Sequence, residues 1–145
     1  MIAQPKRTIL VIEDSDEDFE TIERVILASG RAWPIRATNG ENGVRLLRSQ
    51  EPGHDVDLIL LYLNMSGLDG RDVLREIKTD EKLRLIPAVV FTTSPDPRDI
   101  QCCYRNGANS YHLKPIDLYE FQAVVQSIID YWIDKNISYQ NGVDR

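Results

Sequence analysis

Two adjacent acids, a lysine and a scatter of hydroxyls are the residues of this chain that could do chemistry together. Glu13 and Asp14 follow the apolar run at 8–12, and neither is set in a glycine-rich loop. A phosphate cradle needs backbone N–H groups and glycines, so this strand end does not make one. Two neighbouring carboxylates suit a hard cation instead, best Mg²⁺, which takes one or two carboxylates and keeps several waters. The alternative is that these acids serve only the start of the next helix, whose dipole favours negative charge. Lys114 stands between the apolar stretch at 111–113 and Pro115, where an ammonium must find an anion. Thr92 closes a second apolar run, and Tyr62 and Asn64 follow a third, Leu58-Ile59-Leu60-Leu61. His54 and His112 have no paired ligand in view and read as structural. Cys102 and Cys103 are adjacent, which suits neither a disulfide between them nor a zinc site, and they read as helix residues in a reducing compartment.

The elements needed to bring these residues together can be read from the apolar pattern. Runs at 8–12, 58–61 and 88–92 lack alternating polar positions, as strands covered on both faces do. Weaker strands are expected at 34–37 and 110–113. Ser15 or Asp16 can cap a first helix carrying Phe19, Ile22, Val25 and Ile26 at helical spacing, with Gly30 ending it. A second helix opens near 39–43 and buries Val44 and Leu47, and a third starts at Gly70 with Val73, Leu74 and Ile77 inward. Pro97 suits the first turn of a fourth helix that runs to about Asn106. The last helix spans about 118–134, with apolar residues at 118, 121, 124, 125, 128, 129, 132 and 133. Strands alternating with helices predict an α/β fold, a doubly wound five-stranded parallel sheet of (βα)5 type with flavodoxin-like strand order 2-1-3-4-5.

Length and charge bound the function. At 145 residues the chain suits one domain. A formal net charge of −6 and the lack of a Lys/Arg cluster argue against nucleic acid. No apolar run approaches the ~18 residues of a membrane span, and 1–8 lack a signal-peptide core. A cytoplasmic location and no membrane partner are expected.

Taken with their spacing, these residues resemble the receiver domain of bacterial response regulators (CheY-like), over about 7–134. Glu13-Asp14 is similar to the family's Mg²⁺-binding acidic pair, and Asn64 to the position whose backbone carbonyl completes the metal shell. Thr92, thirty residues after Tyr62, is similar to the hydroxyl residue that hydrogen-bonds the phosphoryl group. Tyr111 is similar to the aromatic switch residue, and Lys114-Pro115, fifty-two residues after Tyr62, to the lysine that contacts the phosphoryl oxygens. The resemblance implies a phosphorelay module, not an enzyme, with a sensor histidine kinase as partner. Single-domain regulators that work beside phytochrome histidine kinases look most similar, in the stretch 70–78, Ile86-Pro87, Thr92-Thr93-Ser94 and Tyr131-Trp132, which points to a bacteriophytochrome.

One position departs from the family. Tyr62 stands where the resemblance places the phosphoacceptor aspartate. A phenol with a reference pKa of ~10 is neutral at pH 7 and supplies no anionic metal ligand. Phosphorylation by the family's route is therefore not expected, Mg²⁺ should be weak or absent, and Lys114 should lean on Asp14. Two histories fit: a natural pseudo-receiver acting as a constitutive adaptor, or a single replacement in a working receiver. A haloacid-dehalogenase reading fails, because Tyr62-Leu63-Asn64 matches neither acid of its Asp-x-Asp pair. The receiver is assigned to 1–134 and a tail to 135–145, with no output domain expected. The last helix carries more apolar circumference than one sheet face needs. That suggests either a broad internal stripe or a homodimer in which Trp132, Ile133, Ile137 and Tyr139 reach across a two-fold axis.

Overall fold

A computed structural model of the chain describes residues 6–49 and 55–137. Five parallel strands, β1 (Arg7–Ile12), β2 (Ala32–Ala37), β3 (Leu58–Leu61), β4 (Ala88–Thr92) and β5 (Ser110–Leu113), form one sheet in the order β2-β1-β3-β4-β5. The helices between and after them are α1 (Asp16–Ser29), α2 (Gly40–Arg48), α3 (Gly70–Lys78), α4 (Pro97–Arg105) and α5 (Leu118–Ile129). This is the expected flavodoxin-like order.

The unbroken apolar strands divide by parity. Ile9, Val11, Leu58, Leu60, Val89 and Phe91 point to the layer of α1 and α5, where Ile22, Ile26, Phe121, Val125 and Ile128 meet them. Leu10, Ile12, Ile59, Leu61, Ala88 and Val90 point to α2, α3 and α4, against Leu47, Leu74, Ile77 and Cys103. Side chains alternate along a strand, so only a sheet with two covered faces keeps both sets dry.

Side chains cap the helix starts that aim at the sheet rim. Ser15, not Asp16, caps α1 by accepting from the Asp18 N–H, and Asp16, Glu17 and Asp18 fill its first turn. Asp69 caps α3. Gly70 is required there, because a Cβ would lie 2.4 Å from the Tyr62 carbonyl oxygen. That close approach holds the start of α3 against the end of β3.

Two elements depart from the bounds that the sequence pattern indicates. Residue Arg7 already pairs with Ala32, so β2 starts two residues before Pro34, a proline tolerated because β2 is an edge strand. The last helix departs more. Regular α-geometry ends at Ile129, and Asp130–Lys135 forms a π-type turn in which the Asn136 N–H donates to the Tyr131 carbonyl five residues back. Arg31, at the foot of β2, pairs with Asp130 at 3.1 Å and also with Asp134. The turn lays Trp132 and Ile133 on the α1/α5 core cluster, as partly buried neighbours of their own domain. The broad-stripe alternative accounts for those two residues. Leu118, by contrast, is exposed. Tyr139 and His54 lie outside the described residues.

Candidate functional site

The carboxyl ends of β1, β3, β4 and β5 converge on one rim, the crevice where open α/β sheets gather ligands. Glu13 extends β1, its N–H donating to the Ala37 carbonyl, and its side chain is only 2% exposed. It shares the parity of Ile9 and Val11, so it turns toward the α1 layer; Asp14 comes next in the alternation and is exposed. Lys114, just past β5, reaches Glu13 Oε1 at 2.6 Å and Asp18 Oδ2 at 2.8 Å. The expected Lys114–Asp14 contact is therefore corrected: the partners are Glu13, by strand parity, and Asp18, because the first turn of α1 swings it over the rim. The other carboxylate oxygen of Glu13 accepts the Ser15 N–H at 3.2 Å. The Lys114 ammonium also lies 3.9 Å from the centroid of the Tyr62 ring, a cation–π distance, and 6.0 Å from that of Phe91.

Burial raises the Glu13 pKa above its usual value, and Lys114 opposes that shift without cancelling it. The Lys114 side chain is 4% exposed, so the pair sits out of water, where charge-assisted bonds are strong and an unpaired charge is costly.

Thr92 ends β4 wholly buried, and its hydroxyl has no hydrogen-bond partner among the described residues. Its carbonyl accepts the Lys114 N–H at 2.7 Å, which ties the lysine's backbone to the rim. Tyr111, partly buried, donates its hydroxyl to the Ser94 carbonyl at 2.7 Å, and burial raises its pKa. Asn64 is exposed in the loop after β3. The fold thus brings Glu13, Tyr62, Thr92, Tyr111 and Lys114 to one rim and leaves Asp14 and Asn64 at its solvent edge.

The donors these residues offer decide what a divalent cation would meet at the rim. Both oxygens of Glu13 are engaged, Tyr62 supplies a neutral phenol, and no group of three metal-ligating side chains occurs among the described residues. Of the acidic pair, Asp14 is exposed and keeps its carboxylate for a cation.

Asp18 is the site residue that sequence reasoning missed. Standing in a first helical turn beside Asp16 and Glu17, it looks like a dipole charge, and its distance of five residues from Glu13 gives no signal. Cys102 and Cys103 are free and lie in α4, the helix placement expected of them, and burial pushes the Cys103 thiol up to about 12. His112 is half-buried beside the Ser110 hydroxyl at 3.1 Å.

Residues 9–126 match the response regulator receiver domain family. The chain is 35% identical to the probable methanogenesis regulatory protein FilR2 of Methanothrix harundinacea, over 90% of this chain and 86% of that one. It is 34% identical to the response regulator Rcp1 of Synechocystis sp., over 91% and 92%. A crystal structure of the Mn²⁺-bound form of Rcp1 superposes with a TM-score of 0.85 at 33% identity, over 94% of this chain and 100% of that one. The phosphorylated cyanobacterial phytochrome response regulator RcpA superposes at 0.89 with 29% identity, again over 94% and 100%. Sequence match, strand order and rim agree, and the chain belongs to the response regulator receiver domain family.

Proposed function

We propose that this chain is a single-domain response regulator that signals by protein–protein contacts and has its phosphoacceptor position filled by Tyr62. The observation that carries this reading is the Tyr62 ring at the end of β3, 3.9 Å from the Lys114 ammonium. A phenol there offers no carboxylate to form an acyl phosphate. Glu13, Asp14 and Asn64 are the residues that would hold a metal, and with Glu13 engaged Mg²⁺ binding is weak or absent. Thr92, Tyr111 and Lys114 keep the roles the resemblance implies, phosphoryl contact and switching, in a site without its acceptor.

The partner is a sensor histidine kinase, with a bacteriophytochrome favoured by the likeness to Rcp1 and RcpA. The module is cytoplasmic and not an enzyme. It forms a homodimer through the 135–145 tail, with Ile137, which is 96% exposed, as the described residue available to cross the axis.

The closed ion network around Lys114 favours one second reading, a constitutive adaptor that needs no phosphate. Intact mass after incubation with acetyl phosphate and Mg²⁺, on the chain and on Tyr62→Asp, tests both. The expected result is one added phosphoryl mass on the Asp variant alone. A gain on the unaltered chain refutes the blocked-acceptor reading, and no gain on either favours the adaptor.

A further inference from the structure

We propose that Arg71 and Asp99 form a latch that fixes the ring of Tyr111 from α3 and α4, without help from the acidic rim. This rests on the switch role given to Tyr111 above and goes beyond it by naming the residues that hold the ring in place.

Tyr111, in β5, donates its hydroxyl to the Ser94 carbonyl at 2.7 Å, so the ring stays where Ser94 stays. Ser94 lies between β4 and α4, outside both elements, and side chains must fix it. Its hydroxyl donates to Asp99 Oδ2 at 2.5 Å and accepts the Asp96 N–H at 3.3 Å. Asp99 stands in the first turn of α4, and its other oxygen lies 3.5 Å from Nη2 of Arg71, the second residue of α3. Three elements, α3, α4 and β5, thus meet through one serine.

Arg71 bears a second sign of constraint. Its Nη1 is buried with no hydrogen-bond partner among the described residues. A donor held out of water without an acceptor costs stability, so the side chain stays in this place because Asp99 holds its other nitrogen. The two side chains are 26% and 24% exposed, which shields the pair in part from the water and salt that weaken surface ion pairs. The rim does not share in the latch. Thr92, the rim residue nearest to Ser94 in the chain, has a hydroxyl with no partner among the described residues. The latch therefore closes without metal or phosphoryl. Arg71 and Asp99 are positioning residues that act on Tyr111 through Ser94.

The full chain carrying 3-fluorotyrosine at its six tyrosines tests this by ¹⁹F NMR, with Tyr111→Phe assigning the Tyr111 line. Arg71→Met should shift and broaden that line as the ring samples a second position. The line of Tyr104, exposed on α4, should stay in place. Arg71→Lys should restore much of the unaltered spectrum, because it returns the cation. Asp99→Asn should displace the Tyr111 line by itself, and adding Arg71→Met should move it no further, as two residues of one relay require. Arg71→Gln serves the same comparison where the Met variant does not fold. An unmoved Tyr111 line in a folded Arg71 variant overturns the proposal, and so does an equal displacement of Tyr104, which would show general loosening of α4. A displaced Tyr111 line together with phosphoryl uptake by the unaltered chain would strike the blocked-acceptor reading and leave the latch standing. An unmoved line with phosphoryl on Tyr62→Asp alone would strike only the latch.

Discussion

A hydroxyl buried without a partner costs stability, and Thr92 carries one at the floor of the rim. Replacing Thr92 by Val keeps the shape and removes the unsatisfied group, so Thr92→Val should raise stability by about 1 kcal/mol in urea denaturation. A loss would mean that the hydroxyl is satisfied in solution. Lys114 behaves in the opposite sense. Its removal leaves Glu13 charged in a nearly water-free place, so Lys114→Met should cost about 3 kcal/mol, and adding Glu13→Gln should recover part of that cost. A third residue, Lys78, gives a pH dependence. Its ammonium donates to the carbonyls of Arg84 and Ile86 and to Asn109 Oδ1 at 2.8 to 3.1 Å, with no carboxylate partner among the described residues, and burial lowers its pKa to about 8. The unfolded chain, at about 10.4, holds more protons between those values. The lysine's contribution is thus fully present above the unfolded pKa and lost as pH falls through 8. Relative to Lys78→Met, the unaltered chain should gain stability from pH 8 to pH 10 in denaturant titrations; a flat difference would refute the shift. At this scale the sequence exposed Glu13 and Lys114 through residue type and placement, and Tyr62, Thr92 and Tyr111 through the resemblance to the receiver family. It hid Asp18 and Lys78, because what either one touches is set by elements distant in the chain.

At the scale of elements, β1, β3 and β4 were legible because a parallel strand covered on both faces must be apolar throughout, whereas the edge strands β2 and β5 carry polar residues and gave a weaker signal. Helices α1 to α3 were legible from one buried stripe each and α4 from Pro97 in its first turn, and in the structure Ser15, Asn39, Asp69 and Asp96 cap them. The end of α5 was not. Its apolar spacing continues past Ile129, and nothing local announces the π-type turn at Asp130–Lys135. Arg31 holds that turn from the foot of β2 through Asp130 and Asp134, about a hundred residues away in sequence. These charges are partly exposed, so Arg31→Ala should lower global stability by less than about 1 kcal/mol while speeding amide hydrogen exchange across 130–137. Unchanged exchange there would show that Trp132 and Ile133 hold the turn by packing alone.

For the molecule as a whole, the sequence determined that two-faced strands and intervening amphipathic helices close into one sheet with a chemical rim at its carboxyl edge. It also determined the acidic net charge and the phenol at the end of β3. The proposed dimer belongs to this scale. Light scattering at tens of micromolar should give twice the chain mass, falling to the monomer when 135–145 are deleted; a monomeric mass in both chains would refute the tail's role. Only the tertiary structure decided how the rim is wired. Strand parity turned Glu13 inward and left Asp14 in water, α1 supplied Asp18, and the β5 crossover delivered Lys114 between them. The physical reason is range. Periodicity and turn chemistry act over a few residues and are written in the local sequence. An ion pair between residues 13 and 114 exists only once burial has removed the water that would otherwise screen it.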